Sequence, residues 1–285
     1  MKIQNTFKAN VIWGSLGFSL AIIAALLFDT QQTISYLAAA KAFIFSQFSW
    51  FYILLSAFFL FFLLFLALGR YGDIKLGSDE EEPEFKLGSW IALLFTSGIG
   101  IGIVFLGVAE PLSHFLSPIG EYEKVRTALF FSIFHWSISA WAIYGLIALT
   151  IAYFGFRYKL PFSLRSCFYP LLKEKINGRV GDIIDILGIC TTLFGVVATL
   201  GYSAIRLAAA FHSMHLLDNS PYLVPLILVS VFIIAILISL QGIANGFRIL
   251  SELNLGVTFL FMLLVLLFGP TIYLICLLYT SPSPR

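Results

Sequence analysis

Apolar residues in this chain neither alternate nor fall into stripes; they run on for twenty or so positions at a time between short polar breaks. About 20 apolar residues are what a helix needs to cross a hydrocarbon layer of roughly 30 Å. Seven runs of that kind lie near 11–28, 49–69, 89–110, 127–154, 183–206, 222–241 and 253–275, and they predict seven membrane-spanning helices. The first follows Lys2 and Lys8 but is long for a secretory signal. It leads into Phe28, Asp29 and Thr30 with no small-residue cleavage pattern, so it is expected to be retained.

The polar breaks carry the orientation. Counted through alternate loops, one side receives Lys2, Lys8, Arg70, Lys75, Lys86, Arg157, Lys159, Arg165, Lys173, Lys175, Arg179 and Arg248. The other receives Lys41, Lys124, Arg126 and Arg206. Positive residues favour the cytoplasmic side, so the N-terminus is expected there. Composition agrees with a polytopic helical membrane protein in a lipid bilayer: 60% of the 285 residues are hydrophobic, 30 of them phenylalanine, and 11% are charged. The net charge of +2 adds nothing to that.

Several features have plain explanations. Cys167, Cys190 and Cys276 are odd in number and widely spaced, which argues against a disulfide framework or a metal site. The run Asp79, Glu80, Glu81, Glu82, Pro83, Glu84 reads as a solvated acidic loop. Asp182 and Asp185 open the fifth span, where carboxylates complement a helix N-terminus. His212 and His215 stand near each other without a third metal ligand.

The stretch from Thr96 to Phe115 is different. It places Gly98, Gly100, Gly102 and Gly107 inside an apolar run and ends in Glu110 and Pro111. Glycine at every second position weakens a helix, and in lipid freed backbone is tolerated where it lines a protein cavity. The pattern fits a broken helix that binds a substrate or ion. Gly98 and Gly102 also form a G-x-x-x-G pair, which would serve close helix packing, and the pattern does not decide between the two. Glu110, an ionisable residue near the end of its span, suits either structural anchoring of the following loop or a gating or charge-pair role.

A second group lies in the fourth span, F-H-W-S-I-S-A-W-A-I-Y from Phe134 to Tyr144. On a continuous helix Trp136, Tyr144 and Trp141 would fall at roughly 0°, 80° and 140°, one broad aromatic face. They sit inside the span, among Ser132, Ser137 and Ser139, rather than at its ends, which favours a cavity over an interfacial belt. A quaternary ammonium has no N–H to donate. Aromatic faces attract it by cation–π contact, at about 0.5–2 kcal/mol per ring.

With these two segments, D-I-L-G-I-C-T-T-L-F-G-V-V-A-T-L-G from Asp185 to Gly201 and G-I-A-N-G-F-R-I-L-S-E-L-N from Gly242 to Asn254 complete an ordered set. Together they resemble the betaine/choline/carnitine transporter family. The resemblance implies an all-α integral membrane protein of the plasma membrane with the LeuT-type inverted-repeat fold. Residues 1–88 would hold the N-terminal tail, two extra helices and the acidic cytoplasmic loop, and 89–275 the first five-helix repeat. It also implies that Trp136, Trp141 and Tyr144 form the aromatic cage, with the backbone at Gly98, Gly100 and Gly102 beside the substrate. Thr96 and Ile99 match a sodium-coordinating site and Thr192 a second one, sodium being the coupling ion. The partner one turn after Thr192 is Val196, which has no hydroxyl. Some relatives are trimers, so a homo-oligomer is implied.

The departures from the family pattern are informative. Many relatives read H-W-G-x-H-P-W where this chain has Ser137, Ser139 and Ala140, so local helix geometry is expected to differ. Proton-coupled choline carriers resemble G-x-G-x-D, whereas the last position here is Gly102. Without that countercharge a zwitterion bringing its own carboxylate fits better than choline. The expected function is therefore sodium-coupled import of a betaine-like osmolyte, with choline uptake or carnitine exchange as the alternatives. The resemblance fades after Ile275, so 276–285 reads as a non-native tail and the second repeat as missing; the chain alone is expected not to transport. A seven-helix receptor would place its N-terminus outside. An enzyme would need a nucleophile, base or metal constellation such as H-E-x-x-H, which the sequence lacks.

Overall fold

The computed structural model describes residues 8–98, 106–117, 123–218 and 220–280, all helix and connecting turns with no strand among them. The chain forms two compact units, one made of residues 1–81 and 138–199, the other of 82–137 and 200–285. Six described helical stretches are long and apolar enough to cross a membrane: Ala9–Phe28, Thr30–Leu68, Lys124–Arg157, Arg179–Ser213, Leu223–Leu240 and Asn245–Phe268. Their apolar windows are 17% buried or less. Lipid is as apolar as these side chains, so such surfaces need no protein cover.

The first unit opens with α1 (Ala9–Phe28) and α2 (Thr30–Leu68). Asp29 separates them and caps α2, its carboxylate accepting from the Gln32 backbone N–H at 2.9 Å. The second predicted span was placed at 49–69, with Lys41 in a loop; helix in fact begins at Thr30. Its 39 residues measure about 58 Å at 1.5 Å each, well beyond a hydrocarbon core of roughly 30 Å. The added turns, T-Q-Q-T-I-S-Y-L-A-A-A-K-A, are alanine-rich helix formers that a hydropathy window passes over.

α6 (Ile138–Ala152) packs on α2 and runs into a wide π turn at Tyr153–Arg157. Two short helices, α7 (Leu164–Cys167) and α8 (Tyr169–Leu172), and a 3₁₀ turn at Lys173–Asn177 lead to α9 (Arg179–Ser213). α1 meets the first half of α9 through small residues. A Cβ on Gly14 would stand 2.5 Å from Ile186 Cδ1, Ser15 and Ser19 are buried, and Phe18 meets Phe194 edge-on at 6.3 Å. Close approach through Gly and Ser is how helices pack when water supplies no driving force.

In the second unit α3 (Leu87–Gly98) packs on α11 (Arg248–Phe268), and α4 (Gly107–Leu116) on α5 (Lys124–His135). The later part of α9 and α10 (Leu223–Leu240) share a small core of Ala204, Ala208, Leu223 and Ile227. A π turn at Ile243–Phe247 joins α10 to α11, and α12 (Thr271–Thr280) follows. The third predicted span, 89–110, is thus seen as α3 and α4, with 99–105 outside the described residues.

Candidate functional site

The fourth predicted span, 127–154, is not one continuous helix. α5 ends at His135 and α6 begins at Ile138, with Trp136 at φ −90° and ψ 8° between them. The Trp136 N–H reaches the Ser132 carbonyl at 3.2 Å and the Ser137 N–H the Phe134 carbonyl at 3.2 Å, so the turn tightens and stops. A wheel drawn as one unbroken helix through Trp136 therefore does not carry over to Trp141 and Tyr144. The break also marks one of the three points where the chain passes between the two compact units.

Trp136 has a fixed edge. Its indole N–H donates to Glu110 Oε2 at 2.9 Å, and Glu110 Oε1 lies 2.6 Å from His135 Nδ1 and 3.7 Å from His114 Nε2. The Glu110 side chain is 12% exposed. One carboxylate on α4 thus gathers the last residue of α5, the tryptophan after it and a histidine one turn along its own helix. For Glu110 the expected alternatives are structural anchoring of the following loop and a gating or charge-pair role; its contacts run to the aromatic segment of the fourth span and include His135. Ser132, expected beside a cavity, is buried and donates to the Ala128 carbonyl at 2.8 Å within its own helix.

In the first unit Trp141 and Tyr144 sit one turn apart on α6, ring centroids 6.2 Å apart and nearly perpendicular at 89°. Edge-to-face contact holds two rings at a set angle and adds about 0.5–1.5 kcal/mol beyond burial. Thr192, on α9 of the same unit, donates its hydroxyl to the Gly188 carbonyl at 2.9 Å. That leaves its oxygen lone pairs for a hard cation.

Thr96 lies in the second unit. Its hydroxyl donates to the Ser251 carbonyl at 3.4 Å and accepts from Asn254 Nδ2 at 3.2 Å, both on α11. Ser89, two turns earlier on α3, reaches Glu252. The polar residues of G-F-R-I-L-S-E-L-N thus meet α3 along the side that carries Thr96. Gly98 is the last described residue of α3, whereas Ile99, Gly100 and Gly102 lie outside the described residues.

One charged cluster was missed by sequence reasoning. Asp182 and Asp185, read as helix-end charges, are taken up by Arg165, which is 4% exposed. Arg165 Nε pairs with Asp185 Oδ2, its backbone N–H with Asp185 Oδ1 at 2.9 Å, and Nη1 with Asp182 Oδ1 at 3.1 Å. Paired opposite charges on either side of an apolar segment's start were the available signal.

Against known proteins, a family model described as BCCT, betaine/carnitine/choline family transporter, matches residues 10–282. An uncharacterized transporter of Haemophilus influenzae is 47% identical over 279 residues, 96% of this chain and 42% of that protein. A glycine betaine transporter of Bacillus subtilis is 40% identical over 250 residues, 86% of this chain and 48% of the other. An osmo-dependent choline transporter of Acinetobacter baylyi is 39% identical over 234 residues, 81% and 34%. The chain spans about a third to a half of the length of these relatives. A match over almost the whole sequence, joined to six membrane-length helices, means that the chain belongs to the betaine/carnitine/choline transporter family, a family of transporters and not of enzymes.

Proposed function

We propose that this chain forms one half of a secondary active transporter that imports a quaternary ammonium osmolyte, a glycine betaine-like zwitterion, across the plasma membrane with sodium. Family membership over residues 10–282 carries the proposal, since the similar proteins include glycine betaine and choline transporters. In this reading residues 89–275 are the first repeat of a LeuT-type fold, 1–88 precede it, and the N-terminus is cytoplasmic. Alternating access would come from rocking one repeat against the other around a site halfway across the membrane.

The chemistry of the aromatic residues suits a cage. A trimethylammonium group needs π faces at set positions rather than hydrogen-bond acceptors. The Glu110 carboxylate anchors Trp136 by its N–H edge, and the perpendicular contact orients Trp141 against Tyr144. The substrate carboxylate would meet the backbone at Gly98, Gly100 and Gly102, the last of them standing where proton-coupled choline carriers resemble G-x-G-x-D. Thr96 and Thr192 offer hydroxyl oxygens suited to sodium, with Ile99 adding backbone oxygen. The relatives' remaining length would supply the opposite wall, so this chain alone is not expected to transport.

Uptake of labelled glycine betaine, choline and carnitine tests this, in cells lacking their own carriers and given a polypeptide of the relatives' full length that carries this sequence. Betaine uptake that disappears when potassium replaces sodium supports the proposal. Sodium-independent uptake that favours choline would replace it with the proton-coupled alternative, which the choline-transporting relatives keep in view.

A further inference from the structure

The segment between α6 and α9 is held against the start of α9 by charge. Besides its two aspartates, Arg165 reaches the Ile176 carbonyl with Nη1 at 3.4 Å, and Lys8 Nζ joins the network at Asp182 Oδ1, 3.1 Å, and at the Asn177 carbonyl, 2.6 Å. Ile176 and Ser166 are fully enclosed, at 1% and 0% exposure. The segment is therefore a fixed platform, and Asp182 and Asp185 are already paired.

The cations that remain point to a partner. Lys173, Lys175 and Arg179 are exposed, and none forms an ion pair among the described residues. Glu174, the acid between them, accepts from Asn177 Nδ2 at 3.1 Å. Lys159 is left out because Glu81 lies within its field. Lys173 adopts φ +45°, a conformation that non-glycine residues rarely take and that persists where the surroundings impose it. Beside it Leu171 is 82% exposed and Phe168 38%. The flanking membrane-length helices end at Arg157 and start at Arg179, which puts the segment at headgroup level. Cations next to a span attract anionic lipid, and neighbouring apolar side chains enter the acyl boundary.

We propose that Lys173, Lys175 and Arg179, with Leu171 and Phe168, form a docking surface for anionic phospholipid headgroups. The occupant is set by charge complementarity and by position against the bilayer, and the inference does not depend on what the transporter carries.

The test is a lipid titration of the detergent-solubilised chain, followed by native mass spectrometry, with phosphatidylglycerol against phosphatidylcholine. The chain should prefer phosphatidylglycerol by about tenfold or more, as three nearby cations imply. The triple variant Lys173→Gln, Lys175→Gln, Arg179→Gln should lose that preference at an unchanged melting temperature, while Lys41→Gln keeps it. If the triple variant melts early, the single Lys173→Gln and Lys175→Gln variants should each lower the preference two- to threefold. An unchanged preference in all of these variants would overturn the proposal, as would equal loss in Lys41→Gln. Suppression by excess inorganic phosphate would mark a free-anion site instead, and loss of lipid binding to an added acidic peptide a protein-binding one; either also overturns it.

Discussion

At the scale of single residues, Glu110 and Arg165 hold more of the structure than their neighbours because each satisfies several partners at once. Hydrogen bonds to a charged group contribute about 1.5–3 kcal/mol each. Glu110→Ala removes the acceptor of both the Trp136 indole and His135, whereas Glu110→Gln keeps one oxygen. In the full-length transporter Glu110→Ala should raise the betaine half-saturation concentration about tenfold or more, with Glu110→Gln in between. Equal values for all three proteins would separate Glu110 from the site. Arg165 makes a different point. Truncating one partner of a buried ion pair costs about 3–5 kcal/mol because the other charge is stranded. Arg165→Met should therefore lower the melting temperature of the chain in detergent sharply, and adding Asp185→Leu should recover much of the loss.

Among the elements, helix existence was legible from hydropathy, and helix ends and breaks were not. Seven apolar runs were read. Six appear as membrane-length helices, and the third is seen as α3 and α4 on either side of residues outside the description. The interruption at Trp136 and Ser137 has neither glycine nor proline to announce it. It coincides with a hydrogen bond to Glu110, 26 residues away, and a wheel drawn from local spacing cannot contain such a contact. The Arg165 cluster went unread because its charges are apart in sequence, and a loop count treats them as solvated. α2 was cut short because alanine, glutamine and lysine lower hydropathy while they favour helix. A cysteine at Lys41 should react with a membrane-impermeant maleimide in a background without Cys167, Cys190 and Cys276, and one at Phe58 should not. Labelling of Phe58→Cys would place the bilayer elsewhere along α2.

In the acidic loop an element-scale dependence on pH is expected. Arg157 Nη1 donates to Asp79 and to the Gly77 carbonyl at 3.0 Å, tying the loop to the end of α6. The hydrogen bond and charge of Arg157 hold the Asp79 carboxyl below its ordinary value of 3.8. A depressed carboxylate contributes fully above its unfolded value, and the contribution is lost as pH falls through the folded one. Amide exchange in residues 75–81, corrected for the intrinsic rate, should stay constant down to about pH 4 and rise below it.

For the whole molecule, family and membrane architecture were readable because four separate segments agreed in order, and each alone had an ordinary explanation. Two compact units divide the chain differently from its linear order, with one of the three boundaries at the break beside Trp136. In the proposed function the aromatic residues of this chain recognise a quaternary ammonium substrate. The most direct measurement is saturable uptake of labelled glycine betaine by carrier-deficient cells bearing the full-length polypeptide with this sequence, compared with its Trp136→Leu and Trp141→Leu variants at equal membrane abundance. The parent should take up betaine, and each variant should lose at least tenfold in apparent affinity, as removal of a cation–π contact of up to about 2 kcal/mol and its packing would give. Absence of uptake of any quaternary ammonium compound, or uptake indifferent to both tryptophans, would contradict the proposed function.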